Sequence, residues 1–329
     1  MKFRLAVTGV VAAALLVGFF VIRKSRHHGL AKPAVAGAAP SERHCKAENV
    51  IVMVMDGARF SETWGEPTRQ YIPNLSSVLA KEGVVYPNFY NNGFTYTEPG
   101  HTAIMTGFYQ NLKNNGTELP AHPSFMQIWL KQTGQDKSLA WVIASKAKLE
   151  VLADTTDSEW HGKFNPSTDC GMSGLNSENR DDAETLKVLL EKMSTKHPRL
   201  VLLNFKEPDV SGHQKNWVNY LRGIKNDDEY AEKIWEFIQS DPFYKDKTAF
   251  FVANDHGRHL DANGGYAAHG CDCDGCRHIM LFAAGPDFKK NVIETTKREQ
   301  TDIPVTISQI LGIKIPGAEG NAMKELYAP

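Results

Sequence analysis

The apolar positions of the chain fall into two patterns. The first is a set of short unbroken runs: Val50–Met55 reads V-I-V-M-V-M, Leu200–Phe205 reads L-V-L-L-N-F, and Ala249–Ala253 reads A-F-F-V-A. Leu139–Ala144 and Ile279–Ala284 belong to the same set. Runs of this length, rich in β-branched and aromatic residues, predict strands buried on both faces of a mainly parallel sheet. The second pattern has helical periodicity and covers Asp182–Lys196, Asp228–Gln239 and Thr301–Leu311, the last tolerating Pro304 near its first turn. Together they predict an α/β fold with three layers, α/β/α. Val151–Asn179 is the longest stretch with neither pattern; Trp160 and Phe164 within it suit packing or contact with a leaving group.

A different segment precedes the first strand. Leu5–Ile22 is uncharged and mostly apolar, with Lys2 and Arg4 before it and Arg23, Lys24 and Arg26 after it. As a helix rising about 1.5 Å per residue it reaches roughly 27 Å, enough to cross a hydrocarbon core. The cationic cluster behind it favours a retained anchor over residues 1–28; Ala34-Val35-Ala36 resembles a cleavage site but lies far downstream. Residues 29–48, rich in Ala, Pro and Gly, read as a linker, and 49–329 as one catalytic domain. An extracytoplasmic domain held at the membrane is expected, or a secreted one if the segment is cleaved, although the positive cluster pulls the other way on topology.

Composition narrows the partners. With 37 basic and 38 acidic residues the net charge is -1, so no basic field argues for a nucleic-acid polymer. Five cysteines are too few for a disulfide-built scaffold. An exported chain oxidises its thiols more often than not, so at least one disulfide is expected, its pairing open. Cys271, Cys273 and Cys276 in C-D-C-D-G-C also suit zinc, but only Cys45 and Cys170 remain as further thiols for a four-ligand site.

Three apolar runs lead to aspartates: Asp56, Asp209 and Asp255. In an open α/β sheet ligands bind beyond the carboxyl ends of the strands, so these carboxylates converge there, unless each is only a cap or turn residue. His213, His256 and His269 lie close behind in sequence. Three Asp and three His suffice for two divalent cations, with zinc the first choice. Two ions about 4 Å apart can hold the attacking and leaving oxygens of an in-line displacement at phosphorus. Thr97 precedes Pro99 at the start of a helical segment ending near Thr106 and Gly107, where a hydroxyl meets free N–H groups. It is the candidate nucleophile; Thr95 and Thr102 are rival hydroxyls, and simple capping is the competing role.

These motifs in this order resemble the alkaline phosphatase superfamily from about Asn49 to Met323. They are V-M-D at Asp56, T-E-P-G-H around Thr97, E-P-D-V-S-G-H from Glu207 to His213, D-H-G at Asp255 and H-G at His269. D-I-P-V-T-I-S-Q-I-L-G from Asp302, with Pro316 and Gly320, is similar to the family's ending. The likeness is greatest to members with a threonine nucleophile, nucleotide pyrophosphatase/phosphodiesterases and a group of bacterial alkaline phosphatases. The resemblance implies one zinc on Asp209, His213 and His269, and a second on Asp56, Asp255 and His256 with Thr97 bound to it. It implies a two-step transfer through phospho-threonine on a small monoester or diester, with retention at phosphorus.

Ser145-Lys146-Ala147-Lys148-Leu149 is similar to the basic pair of threonine-type monoesterases, which makes Lys146 and Lys148 substrate contacts; the second position is often arginine there. Asn115, with Asn114 beside it before Gly116, offers an amide to phosphate, or turn chemistry. Glu98 stands where a neutral residue is expected. Arg258 and His259 are candidates to support the Asp255 motif from behind. A sulfatase shares this fold, but its C-x-P-S-R signature is absent around Thr97. A phosphomutase would share the metal ligands too, and an inactive, membrane-anchored binding module would keep the fold without the chemistry.

Overall fold

β1 (Asn49–Met55) is buried along its whole length, and the two faces of this one strand lead into the two halves of the core. Val50, Val52 and Val54 join one apolar cluster, while Ile51, Met53 and Met55 join the other, as the two-residue period of a strand requires. The computed structural model describes residues 45–329. The segment 1–28 and the linker up to 44 lie outside the described residues, and no described helix is long and apolar enough to cross a membrane. Just before β1, Lys46 and Ala47 donate backbone N–H groups to the Asp287 carboxylate.

The other strands are β2 (Gly83–Tyr90), β3 (Ala140–Ala144), β4 (Ser167–Cys170), β5 (Leu200–Phe205), β6 (Thr248–Ala253), β7 (His278–Ala284), β8 (Val292–Ile293) and β9 (Arg298–Glu299). They form one sheet in the order β4-β3-β5-β1-β6-β7-β2-β8, with β9 also on β2. Pairings are parallel except where β7 meets β6 and β2, so the predicted mainly parallel sheet is present. β7 reverses because the connection from β6 carries no long crossover helix, which only a parallel return demands.

The helices are α1 (Pro73–Ser77), α2 (Thr97–Thr106), α3 (Phe125–Thr133), α4 (Asp182–Lys196), α5 (Asp209–His213), α6 (Trp217–Ser240), α7 (Asp274–Arg277) and α8 (Asp302–Leu311). Ile104 of α2, Phe125 and Leu130 of α3, and Ile303 and Ile307 of α8 cover one face. Leu75 of α1, Leu189 and Met193 of α4, and Ile224 and Ile234 of α6 cover the other. Each such side chain contributes about 1.5–3 kcal/mol on burial, which makes the three-layer arrangement the stable one. α6 begins eleven residues before the predicted Asp228. The stretch Val151–Asn179, expected to be irregular, supplies β4 at the sheet edge. Trp160 and Phe164 meet edge to face, with Lys131 of α3 4.0 Å above the Trp160 ring, so both pack against α3.

β1 lies between β5 and β6 and runs parallel to both, so the segments that follow these three strands leave from one carboxyl edge, where open α/β sheets bind ligands. Asp56 follows β1 directly, Asp209 opens α5 after β5, and Asp255 lies two residues past β6. Lys146 lies two residues past β3.

Candidate metal centre

The structure brings all six predicted ligands together. His213 Nε2 lies 3.0 Å from His269 Nε2, and the two lie 3.3 Å and 3.5 Å from Asp209 Oδ1. A tetrahedral ion with bonds of about 2.0–2.1 Å has ligand-to-ligand edges of about 3.3 Å. The triangle therefore matches a metal face without rearrangement. Next to it, His256 Nε2 is 3.4 Å from Asp255 Oδ2 and 3.7 Å from Asp56 Oδ1. These three atoms are buried and have no hydrogen-bond partner. Orphaned groups of this kind are costly unless something else satisfies them, and a divalent cation does. Asp209, His256 and His269 also group within ligand distance, so His256 faces both positions. The rings of His256 and His269 stack 3.9 Å apart.

Supporting contacts fix each ligand. His269 Nδ1 is 2.8 Å from the Thr95 carbonyl and His256 Nδ1 2.8 Å from the Gly257 carbonyl, which leaves each Nε2 free to ligate. Asn204, the one polar residue of β5, donates to Asp56 Oδ2 at 3.0 Å. Its Nδ2 also lies 3.2 Å from His101 Nε2, and His101 Nδ1 lies 2.8 Å from the Thr97 carbonyl and 3.4 Å from Asp255. Arg258, fully buried, pairs with Asp209 and donates to the carbonyls of Tyr266 and Ala267. Gly57 adopts φ +69°, and a Cβ there would stand 3.0 Å from both Cβ and Oδ1 of Asp209. Only glycine permits that approach.

Thr97 is the first residue of α2, with no side chain of the preceding Tyr96 capping it. Its Oγ1 accepts from Lys146 Nζ at 3.2 Å. The same ammonium is 2.7 Å from Asp209 Oδ2 and 2.9 Å from Asp56 Oδ2, so one cation ties the hydroxyl to both ligand groups. The rivals are placed otherwise. Thr95 donates to the Cys271 carbonyl at 3.0 Å, and the Thr102 hydroxyl is buried a turn further along α2.

Lys148 and Asn115 bond to partners other than Thr97. Lys148 Nζ donates to the Asn114 carbonyl and, at 2.7 Å, to its Oδ1. That Oδ1 also accepts from the Glu98 N–H at 3.0 Å, so Lys148 braces the start of α2 through Asn114. Asn115 is exposed and accepts from its neighbour Thr117 at 2.6 Å, the turn chemistry of N-N-G. Glu98 has a structural place as well: its Oε1 accepts from Gly116 at 2.8 Å. Burial pushes the Glu98 carboxyl up to about 7, against the pull of Lys148 and Gly116.

The electrostatics suit a cation cage. Burial raises Asp209, but Lys146, His213, His256 and Arg258 outweigh it and hold that carboxyl well below the usual range. Burial is likewise overcome at Asp255, chiefly by His256 and His101. Burial lowers His256 and His269, which keeps both imidazoles neutral as ligation requires. Asp56 is pushed up by burial and by Asp255, so this cluster holds more negative charge than its own side chains offset.

The expected disulfide is corrected: Cys170, Cys271, Cys273 and Cys276 are thiols. Cys170 lies in the sheet and gives its S–H to the Val142 carbonyl, away from the other three.

A family model described as Metalloenzyme superfamily matches residues 72–315. No curated protein matches the chain in sequence. Among solved structures, murine ectonucleotide pyrophosphatase/phosphodiesterase 5 superposes with a TM-score of 0.61 at 15% identity, covering 85% of this chain and 100% of that one. That structure is an inactive threonine-to-alanine variant in complex with AMP. Phosphonate monoester hydrolase from Silicibacter pomeroyi gives 0.60 at 14% identity, covering 86% and 77%. A protein in the alkaline phosphatase superfamily from Vibrio parahaemolyticus gives 0.62 at 16% identity, covering 87% and 72%. These likenesses show the fold, a three-layer alkaline phosphatase-like α/β/α domain.

Proposed function

The chain belongs to the Metalloenzyme superfamily, and from that premise we propose that it is a hydrolase of phosphoric esters that works through Thr97. One observation carries the reading. The Thr97 hydroxyl stands at a helix N-terminus, 3.2 Å from an ammonium that joins two metal-ligand groups. The solved neighbour whose inactive variant has lost a threonine, and which was captured with a nucleotide monophosphate, supports the same role for a threonine here.

Asp209, His213 and His269 would hold one divalent ion, and Asp56, Asp255 and His256 the other, with Thr97 beside it. Zinc fits the mixed imidazole and carboxylate set. When bound, the ions supply positive charge for the attacking and leaving oxygens and lower the pKa of the hydroxyl. Without added charge, three carboxylates outnumber Lys146 and Arg258, and a phosphate ester is repelled.

The remaining work falls to the chain itself. The helix N-terminus of α2 and Lys146 stabilise the phosphoryl oxygens. Asn114, held by Lys148, fixes the first turn of α2 and with it the direction of the hydroxyl. Thr97 Oγ1 displaces the leaving alcohol in line, and water then displaces Oγ1 from the opposite side, restoring Thr97 and releasing phosphate or its monoester.

The test is hydrolysis of a mono-aryl and a bis-aryl phosphate by the metal-loaded full chain. Thr97→Ala should lower turnover by about 10³-fold or more with metal content unchanged. Turnover that survives the substitution excludes Thr97 as nucleophile. The faster of the two substrates assigns the ester class; the lone Lys146 at Thr97, with Lys148 bonded to Asn114, makes activity toward both the expected result.

A further inference from the structure

A second cluster of ligand-type side chains lies beside the site, and the phosphoester reading uses none of it. A ring nitrogen of His259 and the sulfurs of Cys271 and Cys276 all fall within 4.8 Å of one another. The two sulfurs are 3.7 Å apart. Cys273 lies between them in C-D-C-D-G-C, two residues after the first and three before the last. The Cys273 N–H points at the Cys271 sulfur at 3.3 Å. An N–H aimed at sulfur suits a thiolate more than a neutral thiol.

His259 adds an independent observation. Its Nδ1 side looks toward Gly264, with 3.6 Å to a Cβ placed there, while its Nε2 is buried and makes no hydrogen bond. The turn between the last two cysteines is closed by Gly275, where a Cβ would stand 2.5 Å from the Arg258 carbonyl and 2.8 Å from Leu260. That is a tight C-x-x-C knuckle seated on the segment that carries the imidazole. The sequence hid the set because the fourth ligand is not a cysteine and lies twelve residues upstream.

We propose that His259, Cys271, Cys273 and Cys276 hold a structural zinc ion of their own, one imidazole and three thiolates. Binding breaks three S–H bonds, releases three protons to solvent and oxidises nothing. Thiolate with imidazole at this spacing selects zinc over harder cations. The ion joins two stretches of chain already in contact: Gly257 N–H donates to the Cys276 carbonyl at 2.8 Å, and His259 N–H to the Ala268 carbonyl at 2.9 Å. His256 lies on one stretch and His269 on the other, so the zinc pins the segments that present both imidazoles.

The experiment is zinc X-ray absorption on the full chain, purified with a non-thiol reductant and loaded with zinc. The neighbouring metal centre contains no sulfur, so zinc–sulfur scattering at about 2.3 Å reports this site alone. The expected result is that scattering, with zinc content falling by one per chain in Cys276→Ser and in His259→Ala. A spectrum with only nitrogen and oxygen neighbours overturns the proposal, as does a disulfide among the three cysteines of the zinc-loaded sample. Because the measurement on the unsubstituted chain decides, misfolding of a variant does not obscure the answer. Asp56→Asn, aimed at the other centre, should leave the sulfur signal in place even if phosphoester hydrolysis is never observed.

Discussion

Lys146→Met separates a metal cage from an ordinary buried ion-pair cluster. The lysine is 4% exposed, and its ammonium lies 2.7 Å and 2.9 Å from two carboxylates. At an effective dielectric near 20, each contact is worth roughly 5–6 kcal/mol before desolvation. Against that stands the cost of stripping water from the ammonium, and removing one partner of a buried pair costs about 3–5 kcal/mol net. Methionine keeps the length of the stem, so the packing loss stays below about 1.5 kcal/mol.

The loss depends on what else neutralises Asp56 and Asp209. In chelator the variant leaves them facing Asp255, with Arg258 as the remaining full cation touching Asp209, and the whole 3–5 kcal/mol should appear. With divalent metal saturating, the ions take over that role and the loss should fall to about 1 kcal/mol. Urea unfolding of the full chain, with and without metal, reads the difference as a midpoint shift of about 1 M at a slope of 2–3 kcal/mol/M. An equal loss under both conditions would mean that no metal sits between these carboxylates, and the functional reading fails with it.

Three further outcomes follow from the same contacts. Glu98 has a folded pKa of about 7 against an ordinary 4.5, so its contribution to stability is complete below 4.5 and is lost as pH rises through about 7. Unfolding free energy should drop by about 1.4 kcal/mol per pH unit in that window, and Glu98→Gln should remove the slope in urea melts. Asp227 is buried with both carboxylate oxygens unpartnered and its pKa pushed well up by burial and by Asp182. By the same sign, Asp227→Asn should match the wild type in acid and exceed it in stability at alkaline pH; a variant weaker at alkaline pH contradicts this. Gly57→Ala and Gly312→Ala both place a side chain at positive φ, but only the first meets Asp209, the second having open space around it. Each should lose about 1–2 kcal/mol, and equilibrium dialysis should show metal loss for Gly57→Ala alone.

What was legible in the fold follows from where apolar side chains carry the burial. The central strands were found within a residue or two because each is an unbroken apolar run. α6 shows the limit. Tyr220, Gly223, Ile224, Asp227, Asp228 and Ala231 are its buried positions there, spaced as a helix face requires. Two of them are carboxylates and one is glycine, so apolar periodicity was blind to the first half of the helix. Asp228 is buried because its carboxylate accepts the N–H groups of Asn74 and Leu75 at the start of α1, at 2.8 Å and 2.7 Å. β2 was obscured by Pro87 and a register shift between Tyr86 and Phe89, and β4 by its polar sequence at a sheet edge.

The site divides along the same line. Asp and His after buried strands were readable as candidate ligands because sheet topology alone delivers them to one edge. The residues that orient them were not. Asn204 did carry a signal, as the one polar residue inside a buried strand, and its amide meets Asp56. His101 and Glu98 lie on the same helix as Thr97, yet their partners Asn204, Asp255 and Gly116 come from three different segments. Lys146 and Lys148 are two apart in sequence and take opposite duties, one on Thr97 and the carboxylates, the other on Asn114. They follow β3 into a short helical stretch, Ala147–Ala153, and no longer alternate as strand residues do. Residue type thus pointed to the candidate groups, while their aim is set by contacts between segments far apart in the chain. For this centre, substitutions at Asn204, His101 and Asn114 are therefore the sharper probes of geometry, because each shifts a ligand or the hydroxyl without removing one.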